Sequence, residues 1–104
     1  MNKVFIISDS NIFFRDEDYL NFLNIKPKEV ANIKTDDNDI LILDLNLLYT
    51  PLYKKFKILK GYKVLSGFFS DNGLVELSER FGFDTVIIKP FYIKELNNLL
   101  ENRL

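Results

Sequence analysis

Four polar positions close short apolar runs in this chain. Ser8-Asp9 follows Val4–Ile7, Asp44 follows Ile40–Leu43, Ser66-Gly67 follows Val64-Leu65, and Lys89-Pro90 follows Val86–Ile88. Brought to one place, they make two carboxylates, a hydroxyl and an ammonium. Two close carboxylates repel unless a cation lies between them. A hard, oxygen-seeking ion such as Mg²⁺ suits that pair, because it takes one or two carboxylates and keeps several waters. A metal-bound carboxylate facing a lysine can attack phosphorus, since both cations neutralise the transferring phosphoryl group. The Ser66 hydroxyl can hydrogen-bond a phosphoryl oxygen, and Gly67 leaves room beside it.

Positioning these residues together requires a particular set of elements. The apolar runs are short, rich in Val and Ile, and stopped by polar or Gly/Pro signals. Such runs suit strands buried between helix layers. The stretches between them carry helical spacing. Leu74, Leu77 and Phe81 recur at three and four, with Gly82 as a stop. Thr50-Pro51 opens a second candidate, with Leu52, Phe56 and Leu59 inward and Gly61 at its end. Pro90 begins a third, in which Ile93, Leu96, Leu99, Leu100 and Leu104 repeat. A first helix is capped by Ser10 or Asn11 and has Ile12, Phe13, Leu20 and Leu23 as its apolar face, interrupted by Asp16-Glu17-Asp18. Alternating strands and helices predict an α/β fold with a parallel sheet. Ligands in such folds bind at the carboxyl ends of the strands.

Composition narrows the rest. The 104 residues suit one domain, and 47% hydrophobic with 28% charged residues is ordinary globular usage. With no Cys and no His, disulfides, thiol nucleophiles, Ser-His-Asp triads and His-ligated metals are excluded. Fourteen basic residues against fifteen acidic ones argue against a dedicated nucleic-acid binder. No apolar run is long enough to span a membrane, and Val4–Ile7 is too short for a signal peptide. A cytoplasmic location is expected, with neither membrane nor nucleic acid as partner. Lys54, Lys55, Lys57, Lys60 and Lys63 cluster in one stretch. They are a contact face for an acidic partner or, more ordinarily, a solvated helix face.

Together these stretches resemble a response-regulator receiver domain. The resemblance runs through VFIISDSN, DILILDLNLL, KVLSGFFSDNGLVELSERFGFDTVIIKPF and the closing helix, with FGFD and IIKPF the most specific pieces. It implies a flavodoxin-like parallel sheet flanked by helices; one domain over residues 1–104, with no output domain after the closing helix, is expected. It implies that Asp44 accepts a phosphoryl group from a histidine kinase or phosphotransfer protein. Asp9, Asp44 and the backbone carbonyl of Asn46 would then bind Mg²⁺. Ser66 and Lys89 would contact the phosphoryl oxygens, with a cis bond before Pro90. A downstream protein would read the changed surface around the last two helices. Self-dephosphorylation is the one reaction expected, so this is a signalling domain and not an enzyme in the usual sense.

Taken singly, each residue has a plainer role. Asp9 or Ser10 can cap a helix, Asp44 and Ser66-Gly67 suit turns, and Lys89-Pro90 suits a helix start. The joint order of acid, acid, hydroxyl and Lys-Pro is what carries the resemblance.

Three departures stand against it. The family carries two adjacent acids after its first strand, where this chain has Ser8 before Asp9. Losing an outer-shell partner of a metal lowers affinity by roughly 10–100-fold, so Mg²⁺ binding is expected to be weak. The aromatic switch residue three before the lysine is Val86, which cannot swing a ring. Finally, if Glu29–Lys34 is the second strand, only Thr35–Asp39 separates it from the next, while a parallel crossover needs about a dozen residues. The second helix is therefore expected to be missing or reduced, and either Glu29–Lys34 is not a regular parallel strand, the second strand then being missing or reduced as well, or it turns back by an unusual route. Alternatively, Pro27 permits a single helical turn at Lys28–Asn32. A missing crossover would leave the first strand at a bare edge and invite homodimerisation or exchange of an element. The rival function is accordingly a degenerate pseudo-receiver, a phosphorylation-independent interaction or dimerisation module. A small nucleotide- or flavin-binding protein is disfavoured, because no Gly-rich loop follows the first strand.

Overall fold

The computed structural model describes residues 4–8, 22–25, 27–68, 73–89 and 98. Five strands form one sheet: β1 (Val4–Ile7), β2 (Phe22–Ile25), β3 (Ile40–Asp44), β4 (Tyr62–Gly67) and β5 (Thr85–Ile88). Their order is β2-β1-β3-β4-β5, and every pairing is parallel. Two α-helices, α1 (Leu52–Phe56) and α2 (Leu74–Arg80), and two 3-10 helices at Pro27–Asn32 and Leu45–Leu47 connect the strands.

The alternating pleat of the strands builds two cores. Phe5, Ile7, Leu41, Leu43 and Leu65 face one way, into a cluster completed by Val30, Leu48, Phe56, Leu74 and Phe83 from the connecting segments. Val4, Ile6, Ile40, Ile42, Val64 and Ile87 form the other cluster. Burying each large aliphatic chain contributes about 1.5–3 kcal/mol, so the apolar runs are driven inward on both faces.

The connections explain themselves locally. Pro51 suits the start of α1, whose Phe56 is wholly buried. The Thr50 hydroxyl does not cap that helix; it donates back to the Leu47 carbonyl at 2.6 Å. The exit from α2 is a Schellman-type turn. Gly82 takes φ 78°, Phe83 N–H donates to Ser78 O at 2.8 Å, and Gly82 N–H donates to Glu79 O at 3.3 Å. Gly61, between α1 and β4, has φ 142°, and a Cβ there would lie 2.9 Å from Asp39 O.

The expected architecture is present, with corrections before β3. The second strand is complete at Phe22–Ile25 and includes Leu23, which the helical spacing had placed on the first helix. Glu29–Lys34 is not a strand. Pro27–Asn32 is a 3-10 helix, the helical turn that Pro27 permits, and it stands where a longer second helix would be. Because the second strand ends at Ile25, fourteen residues precede Ile40, enough for a parallel crossover. The first strand is consequently not a bare edge: β1 lies between β2 and β3. The expected first helix, with its candidate caps Ser10 and Asn11, falls outside the described residues, as do Pro90 and nearly all of the expected last helix. No helix among the described residues is long and apolar enough to cross a membrane.

Candidate functional site

The strand pleat and register decide which side chains meet. Ile7 pairs with Leu43, so Ser8 emerges beside Asp44. Asp44 pairs directly with Ser66. Gly67 pairs with Ile88, and Lys89 N–H continues that ladder to Gly67 O at 2.8 Å. Ser8, Asp44, Ser66 and Lys89 each stand two residues beyond Ile6, Ile42, Val64 and Ile87, all in the second apolar cluster. With a period of two, all four keep that face at the carboxyl edge of the sheet.

Asp44 is the centre of the group. Lys89 Nζ donates to its Oδ1 at 2.6 Å, and Ser8 Oγ donates to its Oδ2 at 3.0 Å. Asp44 is only 1% exposed and Lys89 6%, so this is a buried, charge-assisted pair. Lys89 also lies over the Phe68 ring, 4.5 Å from its centroid, within cation–π range. Asp44, Leu45, Asn46, Phe68 and Lys89 line a cleft of about 180 Å³ that opens to solvent. Ser66 completes the arrangement. Its hydroxyl is buried and has no hydrogen-bond partner, although parallel strands about 4.8 Å apart hold it opposite Asp44. A buried hydroxyl without a partner costs about 1–3 kcal/mol.

Of the residues singled out from sequence, Asp44 and Lys89 touch, Ser66 lies across the ladder, and Asn46 borders the same cleft. Asp9 lies outside the described residues. Among the described residues no group of three or more Asp, Glu, His or Cys side chains could hold a metal ion. Asp44 and Asn46 bring oxygens to the cleft, the ligand chemistry Mg²⁺ prefers, beside the Lys89 ammonium. A carboxylate has about four lone-pair sites, so Asp44 retains acceptor capacity beyond its two present donors. Val86 is half-buried and packs against the first core cluster. Two features had no signal in the spacing: the direct Ser8–Asp44 bond and the Phe68 ring over Lys89.

No family model and no curated protein matches the chain. Among solved structures it is similar to a response regulator from Colwellia psychrerythraea, with a TM-score of 0.62 at 19% identity, covering 99% of this chain and 98% of the other. The fold is that of a receiver domain. The receiver fold places its strand ends on one rim, and in this chain that rim carries Ser8, Asp44, Ser66 and Lys89.

Proposed function

We propose that this receiver-like chain accepts a phosphoryl group on Asp44 in phosphorelay signalling. The observation that carries the reading is the buried Lys89–Asp44 contact beside an open cleft, with an unpartnered hydroxyl across the ladder. An Asp44 carboxylate oxygen attacks phosphorus of a phosphohistidine on a kinase or phosphotransfer protein. The P–N bond breaks, its electron pair stays on the imidazole nitrogen, and that nitrogen takes a proton. Lys89 turns from the carboxylate to a phosphoryl oxygen, and Ser66 donates to another. The incoming group thereby satisfies the hydroxyl that is unpaired in its absence. Asp44, the Asn46 carbonyl and Asp9, the residue after Ser8, would hold Mg²⁺, which supplies positive charge to the transferring group. With Ser8 in place of a second acid, the affinity for Mg²⁺ is low.

A second reading has its own observation. Both oxygens of Asp44 already accept hydrogen bonds, from Lys89 and Ser8. A carboxylate held this way serves equally as the structural clamp of an interaction module that no longer switches. Incubation with Mg²⁺ and acetyl phosphate separates the two. Intact mass should show one added phosphoryl group, absent in Asp44→Asn. No addition at saturating donor would favour the interaction module, and addition that persists in Asp44→Asn would remove Asp44 from its role.

A further inference from the structure

The opposite end of β4 presents a second, unrelated constellation. Tyr53, Phe56, Lys57, Lys63, Phe81 and Phe83 line a pocket of about 240 Å³, with Gly82 at its margin. Its aromatic walls are ordered against one another. The Phe56 and Phe83 rings stack with centroids 5.6 Å apart, and Tyr53 meets Phe81 edge-on at 5.2 Å. The Tyr53 hydroxyl donates to Phe81 O at 2.5 Å, tying α1 to the exit of α2. Nothing lies within 4 Å of where a Gly82 Cβ would stand, so that margin is open. Beside it, Tyr49 is 71% exposed and stands edge-on to Phe81 at 5.9 Å. Ile58, between Lys57 and Lys60, is 76% exposed.

One wall of this pocket comes from a lysine-rich stretch of the chain. From Leu45 to Ser70 the chain has five lysines and no acid, while the remainder holds nine basic and all fifteen acidic residues. Lys54, Lys55, Lys57 and Lys60 are exposed. The Lys63 ammonium donates to Lys57 O at 2.7 Å and lies 5.9 Å from the Phe56 ring centroid. On the other wall Asp84 accepts a bond from the Lys63 backbone N–H at 2.8 Å, and the exposed Glu79 and Arg80 stand just before Phe81 with opposite charges, so the positive charge rests on the lysines of the Lys54–Lys63 stretch. Such asymmetry in a chain of net charge −1 creates a local field that attracts and orients an anionic partner.

We propose that this face binds an acidic protein segment, with one of its apolar side chains seated in the aromatic pocket and its carboxylates against the lysine cluster. The pocket is of side-chain size, and exposed Tyr beside an apolar hollow is typical of interface anchors. A nucleic acid fits less well. The lysine stretch from Lys54 to Lys63 contains no arginine to grip phosphates in a fixed fork, and the pocket's deepest rings, Phe56 and Phe83, are buried in the floor and present no open stacking face. The site is independent of Asp44, which lies at the other end of the strands.

The test is a titration of isotope-labelled protein with a peptide of six glutamates around one phenylalanine. Saturable amide shifts are expected at Lys57, Lys63 and Phe81–Phe83, and Asp44→Asn should leave them unchanged. The double variant Lys57→Glu/Lys60→Glu, at two exposed positions, should weaken binding about tenfold or more, with unaltered thermal unfolding. Replacing the peptide's phenylalanine by alanine should weaken it by a similar factor. The absence of saturable shifts would overturn the proposal. So would equal binding of the alanine peptide, or tighter binding of single-stranded DNA of the same charge.

Discussion

At the scale of single residues, Ser66 is the most informative. Its hydroxyl is fully buried, unpaired and opposite Asp44. A side chain kept only for folding would be better as alanine, because removing an unsatisfied buried group relieves a desolvation penalty. Ser66→Ala is therefore expected to leave the protein as stable or up to about 1 kcal/mol more stable by urea denaturation. Under the phosphoacceptor reading, the same variant should take up or retain less phosphoryl group from acetyl phosphate. Opposite signs in the two measurements would mark a residue held for chemistry. A loss of stability with unchanged phosphoryl level would place Ser66 in the core alone. Asp44 and Ser66 were legible from sequence because each closes a run buried on both faces, and Lys89 because Pro90 follows it and stops a short Val/Ile run. Ser8 was legible only as a missing acid. Its bond to Asp44 depends on the register of β1 against β3, which no local pattern encodes.

At the scale of elements, α1 is a five-residue helix, too short to be stable alone. Its anchor is Phe56, wholly buried and stacked on Phe83. Phe56→Ala should cost about 3–5 kcal/mol, the usual range for truncating a buried aromatic, measured as a lowered denaturation midpoint. A loss below about 1 kcal/mol would show that α1 is held by the Tyr53–Phe81 contact instead. The elements also show where sequence reasoning stopped. Phe22–Ile25 is four residues long and can read as the end of a helix or as a strand, since so short a run carries no decisive period. Its strand state comes from pairing with β1, a tertiary cause. In the following stretch, Val30 and Ile33 are three apart and both pack toward the first cluster. That spacing fits a 3-10 turn, which Pro27 admits, better than the alternation of a strand.

At the scale of the whole molecule, the sheet divides into a protected centre and softer margins, and the candidate site straddles the two. β1, β3 and β4 each have strands on both sides, whereas β2 and β5 are edges. The side chains of β1 and β3 are buried throughout, but β5 is half-buried, with Ile88 38% exposed. Asp44 and Ser66 therefore ride on the rigid centre, and the Lys89 backbone extends an edge strand, its N–H donating to Gly67 O. Under the phosphoacceptor reading, this arrangement suits a lysine that leaves a carboxylate for an incoming phosphoryl oxygen while the acceptor stays fixed. Local openings in proteins range from nearly free at margins to the full unfolding free energy in the core. Native-state hydrogen exchange should accordingly show the Val64 and Leu65 amides opening only with global unfolding, and the Lys89 amide opening at about 2 kcal/mol less. Equal protection at Lys89 and Leu65 would mean that the lysine is locked into the core, and the repositioning that the phosphoacceptor reading asks of it would lose its structural basis.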